Sequence, residues 1–208
     1  MTTRDEQLTT TKKVVVFFDM CSSSAILEDL SETDNLAIFR NVLLAIRDFL
    51  RTRSAPDDFI PYKFIGDGWV LLFPANVSGR ALVNCLARLS ESFAIHFRHH
   101  VAPNLQRTPK VVGLTFGVDK GKLIKIVMNE QVEFIGRALN VASRLQGAIK
   151  DKDKKPSYKV LFSRHTYEGL NIDAKVYKIQ GVKRSLRNIH GGREMKFVKL
   201  TLPITQKS

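Results

Sequence analysis

The chain has 208 residues, 44% of them hydrophobic, and its 33 lysines and arginines against 20 aspartates and glutamates give a formal charge of +13. This length suits one sizeable core, and no apolar run reaches the roughly 18 residues of a membrane helix, so the composition favours one cytoplasmic domain over a membrane protein. The charge indicates an anionic partner, either nucleotide phosphates or nucleic acid.

We divide the chain into a polar lead over residues 1–11, one domain over residues 12–203 and a polar tail over residues 204–208. The lead does not resemble a signal peptide. Cys21 and Cys85 lack the CxxC spacing, so neither a disulfide framework nor a zinc site is indicated, and reduced thiols are expected.

The first predicted strand ends at an acidic residue. Residues 14–18 (VVVFF) are apolar, Asp19 follows them, and Ser22 and Ser23 then open a short predicted helix. Because the first N–H groups of a helix have no partner within it, such an end binds phosphate well. A simple serine cap would explain the same two serines.

A second acidic residue stands at a comparable position. Residues 59–73 (FIPYKFIGDGWVLLF) predict a hairpin with Asp67 at its tip. An ordinary turn aspartate, bonded to its own backbone, would fit this stretch taken alone. Together with Asp19, however, it gives two carboxylates at the ends of core strands, and such a pair could hold a divalent metal ion, which prefers oxygen ligands.

The middle of the chain predicts a second hairpin. Residues 111–118 form its first strand, residues 119–121 (DKG) its turn and residues 123–127 its returning strand. Glycines at positions 113 and 117 would allow another backbone or a ligand to approach closely.

Residues 132–149 (VEFIGRALNVASRLQGAI) predict a helix that begins near Gly136 and buries an apolar stripe. Asn140 and Arg144 lie beside that stripe, one turn apart, and could hold one ligand together. Side chains of these types on a helix flank are, however, usually only solvated.

Helices that alternate with strands and hairpins predict an α+β fold. We expect a ferredoxin-like sandwich, in which one mostly antiparallel sheet carries helices against one of its faces.

Four separated segments resemble the class III nucleotide cyclases, the family of the adenylate and guanylate cyclases. Residues 16–20 (VFFDM) are similar to the family's first metal motif, and residues 63–67 (KFIGD) resemble its K-x-x-G-D hairpin. Residues 136–144 (GRALNVASR) resemble W-G-x-x-x-N-x-A-S-R, and residues 193–196 (REMK) resemble the G-E-M-K before the last strand. Each motif alone is weak, but the four stand in the family's order across almost the whole chain.

This resemblance implies roles for particular residues. Asp19, the backbone of Met20 and Asp67 would coordinate two divalent ions, Mn²⁺ or Mg²⁺, which serve the attack of the ribose 3′-hydroxyl on the α-phosphorus. Asn140 would orient the ribose, and Arg144 would stabilise the pentavalent phosphoryl group. In the family these residues come from different protomers, so a homodimer with composite sites is implied.

The resemblance also implies residues that bind the substrate: Ser22, Ser23 and Lys183 for the phosphates, and Tyr62, Lys63 and Glu133 for the base. Lys63 matches the lysine that reads adenine in adenylate cyclases. Its partner acid, usually aspartate, is Glu133 here, and the bulky Tyr62 stands beside it in the sequence. A longer acid and crowded walls would suit a base smaller than adenine.

The small stand-alone form and the sequence KFIGDGW are most similar to the pyrimidine cyclases of bacterial Pycsar antiphage systems. This resemblance implies that UTP is converted to cyclic UMP, a messenger for a separate effector. CTP, giving cyclic CMP, and ATP, giving cyclic AMP, stay open as alternatives, and Lys63 is the best support for ATP. A diguanylate cyclase is disfavoured, because its candidate motif at residues 190–194 (HGGRE) lies in a late loop.

Two other classes of function compete with catalysis. A ferredoxin-like RNA-binding module would explain the positive charge, but the K/R-G-F/Y-G/A-F pattern of such modules is absent, so nucleic acid is not the expected partner. A scaffold that only dimerises is disfavoured by the two acids and the Asn140 and Arg144 pair.

Overall fold

The structure is a computed structural model that describes residues 9–204, apart from the side chains of Asp151 and His190. Its strands and α-helices are, in chain order, β1 (Thr9–Cys21), α1 (Ser23–Glu32), α2 (Leu36–Ser54), β2 (Ile60–Ile65), β3 (Gly68–Pro74), α3 (Gly79–His96), β4 (Gly113–Met128), β5 (Gln131–Ile135), α4 (Arg137–Lys152), β6 (Lys159–Ser163), α5 (Arg164–Leu170), β7 (Lys178–Ser185) and β8 (Glu194–Thr201). Between residues 9 and 204, no helix combines the length and apolar character of a membrane span.

These eight strands form one sheet. Seven of them follow the order β2-β3-β1-β4-β6-β8-β7, and the eighth, β5, pairs with β4. The pairs are antiparallel except for β4 with β6. The predicted α+β class, a mostly antiparallel sheet with helices packed on it, is therefore confirmed.

The side chains of β1 alternate between two cores. Val16 and Phe18 join the largest apolar cluster, with α1, α2 and α3, whereas Val15 packs with Ala138 and Ala142 of α4. Because successive side chains of a strand point to opposite faces, α4 lies on the other face of the sheet from α1, α2 and α3. The expectation that helices cover one face is wrong, because an apolar stripe shows that a helix is packed but not which face of the sheet receives it.

The turn predicted at residues 119–121 is also wrong, since β4 runs unbroken through it. The β1–β4 ladder continues as far as the pairing of Thr9 with Lys125, and this pairing keeps the segment extended. The reversal comes later, at Asn129 and Glu130, whose φ angles of 49° and 63° suit a tight hairpin. β1 itself begins within the predicted polar lead, ahead of the boundary placed at residue 12.

Gly117 determines how closely α4 approaches the sheet. A Cβ at this position would lie 2.0 Å from the carbonyl oxygen of Ala142 and 2.4 Å from the backbone nitrogen of Gln146. The close approach predicted for this glycine is therefore confirmed, and the approaching backbone is that of α4. As a result, the second half of α4 lies against the end of β1.

Candidate active site

The two strand-end aspartates lie beside one another. In the register of β1 with β3, Phe18 stands opposite Trp69, so Asp19 is level with Gly68. A Cβ on Gly68 would lie 1.9 Å from the carbonyl oxygen of Phe18, so only glycine permits this approach. The turn just before it brings Asp67 next to Asp19, close enough for its carboxyl to raise the pKa of Asp19.

The aspartate pair carries more negative charge than its surroundings neutralise. Burial, helped by the neighbouring carboxyl of Asp67, raises the pKa of Asp19 to about 6. Among the described residues, Asp67 Oδ2 is buried without a hydrogen-bond partner. Two adjacent carboxylates with an unsatisfied oxygen suit a divalent cation. The backbone of Met20 lies next to them, because its N–H donates to Asp19 Oδ1 at 3.1 Å.

In the part of the chain that the structure describes, no group of three or more His, Cys, Asp or Glu side chains is arranged to hold a metal ion. The pair of Asp19 and Asp67 is thus a two-carboxylate site. A cation held there would need further oxygen ligands from the backbone, from water or from a bound phosphate.

Helix α4 supplies two contacts to Asp19 that the sequence analysis missed. Gln146 Nε2 lies 3.4 Å from Asp19 Oδ2 and donates at 3.0 Å to Thr115 Oγ1. Lys150 forms an ion pair with the same oxygen of Asp19. A signal for both was present in the sequence, because Ala142, Gln146 and Lys150 follow at four-residue steps and so continue the stripe that packs on the sheet.

A cavity of about 310 Å³ lies at the start of α1 and shares Lys150 with the aspartate pair, since Lys150 lines the cavity and pairs with Asp19. It is lined by Cys21, Ser22, Ser23, Ser24, Val111, Lys150, Asp153 and Pro156. Ser22 has a φ of 60°, makes no side-chain cap and donates its Oγ to the carbonyl of Val111 at 2.7 Å. The serine-cap explanation is therefore wrong for Ser22, and the cavity stays the predicted place for phosphate.

Tyr62, Lys63 and Glu133 meet although β2 and β5 are separated in the sheet by β3, β1 and β4. Lys63 Nζ donates to both Glu133 oxygens, at 2.8 and 3.0 Å. The Tyr62 hydroxyl donates to Glu133 Oε2 and accepts from the N–H of Phe134 at 2.9 Å. The neighbours Tyr62 and Lys63 can both reach Glu133 because β2 is irregular between Pro61 and Lys63, as at a β-bulge.

This base cluster, as we call Tyr62, Lys63 and Glu133, is charged and partly open to solvent. The hydrogen bonds from Lys63 and Tyr62 lower the pKa of Glu133, and the bond to Glu133 raises the pKa of Lys63. The Lys63 ammonium has three N–H donors, and the carboxylate keeps free lone pairs beside the bonds that it accepts. The cluster can therefore offer one donor and one acceptor to a ligand.

Asn140 and Arg144 lie on the outer side of α4. Both are exposed, whereas the buried stripe of the helix faces the sheet, so within one chain they are not brought to the aspartate pair. Arg144 instead lines a separate cavity of about 320 Å³ with Lys152, Arg184 and Arg187. Four cationic side chains around one cavity favour an anionic ligand.

Lys183 does not line this basic cavity. It is exposed on β7, and its Nζ lies 3.7 Å from Glu194 Oε2. Its neighbour Arg184 faces the cavity beside Arg144, with Nη2 3.8 Å from Asp153 Oδ2. Because neighbouring residues of a strand point to opposite faces, Arg184 rather than Lys183 shares the cavity with Arg144.

No protein-family model matches the chain, and no curated protein matches it significantly. Among solved structures, the adenylyl cyclase CyaB from P. aeruginosa matches with a TM-score of 0.69 at 16% identity, covering 94% of this chain and 96% of that one. The guanylate cyclase domain of RhGC from Catenaria anguillulae, in complex with GTP, matches with a TM-score of 0.64 at 16% identity, covering 93% and 98%. Adenylate cyclases from Trypanosoma brucei also give a TM-score of 0.64 at 16% identity, covering 92% and 89%. The chain therefore has the fold of the adenylyl and guanylyl cyclase catalytic domains.

Proposed function

We propose that the chain is a nucleotide cyclase that converts UTP into 3′,5′-cyclic UMP and pyrophosphate. The observation that carries the proposal is the pairing of Asp19 with Asp67 at the end of β1, within a fold shared with cyclase domains. The formal charge of +13 agrees with a polyphosphate substrate.

Asp19, Asp67 and the backbone of Met20 would hold two divalent cations, Mn²⁺ or Mg²⁺. When bound, such ions supply Lewis-acid activation of the ribose hydroxyl and neutralise phosphate charge. The chain itself sets both carboxylates side by side and leaves Asp67 Oδ2 without a competing hydrogen bond from a described residue. Ser22 and Ser23 would take phosphate oxygens in the adjoining cavity.

A second copy of the chain would complete each site. Asn140 and Arg144 face away from the aspartates of their own chain, so they are free to act on a substrate held by the aspartates of the other copy. There Asn140 would orient the ribose, and Arg144 would stabilise the charge that develops on the phosphoryl group. A twofold dimer uses the same surface twice and would carry two such sites.

The basic cavity beside Arg144 would receive the terminal phosphates that leave as pyrophosphate. Arg184 and Arg187 offer planar guanidinium groups that match phosphate oxygens in pairs. We prefer Arg184 to Lys183 for this contact, since Lys183 lies outside the cavity and near Glu194.

The base cluster would read the pyrimidine. Lys63 can donate to a carbonyl of uracil while Glu133 accepts from the N3–H. Cytosine offers a carbonyl and an amino group that fit nearly as well, and adenine offers a similar edge, so hydrogen bonding alone does not exclude CTP or ATP. The rings of Tyr62 and Phe134, which meet edge to face with centroids 5.2 Å apart, would form the wall that disfavours the larger purine.

The product would act as a second messenger. We infer from the sequence resemblance to the pyrimidine cyclases that cyclic UMP activates a separate effector in antiphage defence.

Product analysis tests the proposal. The purified protein is incubated with Mn²⁺ and with each of the four nucleoside triphosphates at equal concentration, and products are identified by mass spectrometry. We expect cyclic UMP to form fastest and cyclic CMP next. Faster formation of cyclic AMP would replace the pyrimidine assignment with adenylate cyclase activity. Salt-sensitive binding of a long RNA without any cyclic product would instead favour an RNA-binding module.

A further inference from the structure

Lys150 lies at the aspartate pair, but the proposed reaction assigns no role to it. It stands near the end of α4, and its Nζ pairs with Asp19 Oδ2. The side chain of Lys150 is 33% exposed and that of Asp19 is 22% exposed. The ammonium therefore reaches a half-buried carboxylate from the solvent side, and it keeps the freedom to leave.

The surrounding charges show why a cation lies at this position. Asp19 and Asp67 bring two negative charges together, and Lys150 supplies one positive charge. The nearby Asp153 is paired with Lys199 at 2.6 Å and lies 3.8 Å from Arg184, whereas the ion pair of Lys150 is with Asp19. Lys150 thus neutralises half of the charge of the aspartate pair, and Asp67 Oδ2 stays without a partner among the described residues.

We propose that Lys150 is a tethered cation that competes with divalent ions for Asp19 and thereby sets the ion concentration at which they bind. The inference rests on the proposed function, because it takes the aspartate pair as the metal site. Because Lys150 occupies Asp19 Oδ2, its ammonium would have to leave before Asp19 could hold a divalent ion, since two cations at one carboxylate repel each other. The flexible stem of Lys150 then carries the charge into the adjoining cavity beside Ser22 and Ser23, where it faces the substrate phosphates.

Removing the charge of Lys150 therefore has two opposite effects. In Lys150→Met, divalent ions bind more tightly because no ion pair has to break before they bind, and breaking one partly exposed, charge-assisted hydrogen bond weakens binding by about tenfold. The KM for the nucleotide rises because a cation that faces the phosphates is lost. A residue that only supports α4 would not tighten ion binding when it is replaced.

Calorimetric titration with Mn²⁺ alone, without nucleotide, tests the competition. It compares the unmodified protein with Lys150→Met, with Lys150→Arg, which keeps the charge, and with Lys154→Met, which removes the same charge from an exposed position beyond α4. We expect Lys150→Met to bind Mn²⁺ about tenfold more tightly and the other two variants to match the unmodified protein. Lys150→Gln replaces the Met variant if circular dichroism shows that the latter is not folded.

Two outcomes overturn the inference in different ways. If Mn²⁺ binds the unmodified protein but binds Lys150→Met no more tightly than Lys154→Met, the competition is absent while the metal site stands. If Mn²⁺ binds none of the proteins, including the unmodified one, the metal site of the proposed function fails and the inference fails with it.

Discussion

Asp67 lies beside Asp19 because Gly68, which follows it as the first residue of β3, carries no side chain. The Cα of Gly68 lies against the carbonyl of Phe18, where a Cβ would be only 1.9 Å from that oxygen. The contact is with backbone, which cannot rotate away as a flexible side chain can. The geometry of the candidate site is therefore tied to the packing of β1 against β3.

Gly68→Ala should lower both stability and ion binding. The added methyl must push the hairpin away from β1, so we expect the free energy of unfolding to fall by roughly 2 kcal/mol or more and Mn²⁺ affinity to be lost. Urea unfolding and calorimetry measure the two effects. Gly181→Ala in β7 is the control, because nothing lies within 4 Å of its added Cβ. Unchanged ion binding by Gly68→Ala would show that the close approach does not position Asp67.

Asp19→Asn should change how stability depends on pH in the absence of divalent ions. Burial first, and then the neighbouring Asp67, raises the pKa of Asp19 from 3.8 to about 6. A raised carboxyl pKa contributes stability that is fully present below the ordinary pKa and is lost as the pH rises through the folded-state value. Between about pH 4 and pH 7, the free energy of unfolding of the unmodified protein should therefore fall by on the order of 1 kcal/mol relative to that of the Asn variant. This figure is reduced because Asp19 is partly exposed to solvent.

Urea unfolding with a chelator present, at several pH values, measures this difference. Glu91→Gln, at an exposed position on α3, is the control. Its curve of unfolding free energy against pH should be parallel to that of the unmodified protein. Parallel curves for Asp19→Asn as well would mean that Asp19 is not the group that titrates near pH 6.

The sequence predicted the residue types of the candidate site better than their spatial relations. Asp19 and Asp67 followed from strand ends, since an apolar strand that stops at an acid fixes where that acid lies. Lys150 was not predicted: the four-residue steps from Ala142 place it on the side of α4 that faces the sheet, but only the close approach of α4 at Gly117 shows that it reaches Asp19. That Arg184 rather than Lys183 lines the cavity beside Arg144 was not predicted, because the sequence does not show which face of β7 each residue joins.

Mixing two inactive variants tests whether the site is shared between two chains. In the proposed dimer each site takes its aspartates from one chain and its arginine from the other. Asp67→Asn removes the ion-binding residue and Arg144→Ala removes the arginine, so a heterodimer of the two variants would keep one intact site. We expect the mixture to recover part of the activity. A mixture of Asp19→Asn with Asp67→Asn, whose lesions fall in the same half, should recover none. If subunits exchange by an independent measure and the first mixture stays inactive, the site belongs to a single chain.

Variants of the base cluster test the choice of base. Loss of the acceptor in Glu133→Ala should lower kcat/KM for the true substrate by about ten- to a hundredfold. Tyr62→Ala, alone or with Glu133→Asp, should raise ATP turnover relative to UTP, because it opens the wall beside Lys63. Tyr62→Phe separates the two roles of the tyrosine, since it keeps the ring and removes the hydroxyl that bonds to Glu133. No gain for ATP in any variant would exclude a steric origin of the pyrimidine preference.

The irregularity in β2 explains why this cluster was harder to foresee than the aspartates. In a regular strand Tyr62 and Lys63 would point to opposite faces, and only one of them could meet Glu133. The register shift between Pro61 and Lys63 turns both toward the β4–β5 ribbon. Pro61 stands at this shift, and proline within a strand is typical of an edge or a bulge. It does not show which side chains the bulge turns toward β5, so the sequence suggested a crowded pocket but not the hydrogen bond between Tyr62 and Glu133.

The central claim is that Asp19 and Asp67 form the ion site of a nucleotide cyclase, and one comparison tests it most directly. Cyclic nucleotide formation from UTP with Mn²⁺ is measured for the unmodified protein and for Asp67→Asn, after circular dichroism and thermal melting have shown that both are folded. We predict a cyclic product and pyrophosphate from the unmodified protein and at least a hundredfold less from the variant, because a neutral amide cannot replace a charged oxygen ligand. Undiminished product formation by a folded Asp67→Asn protein would contradict the account.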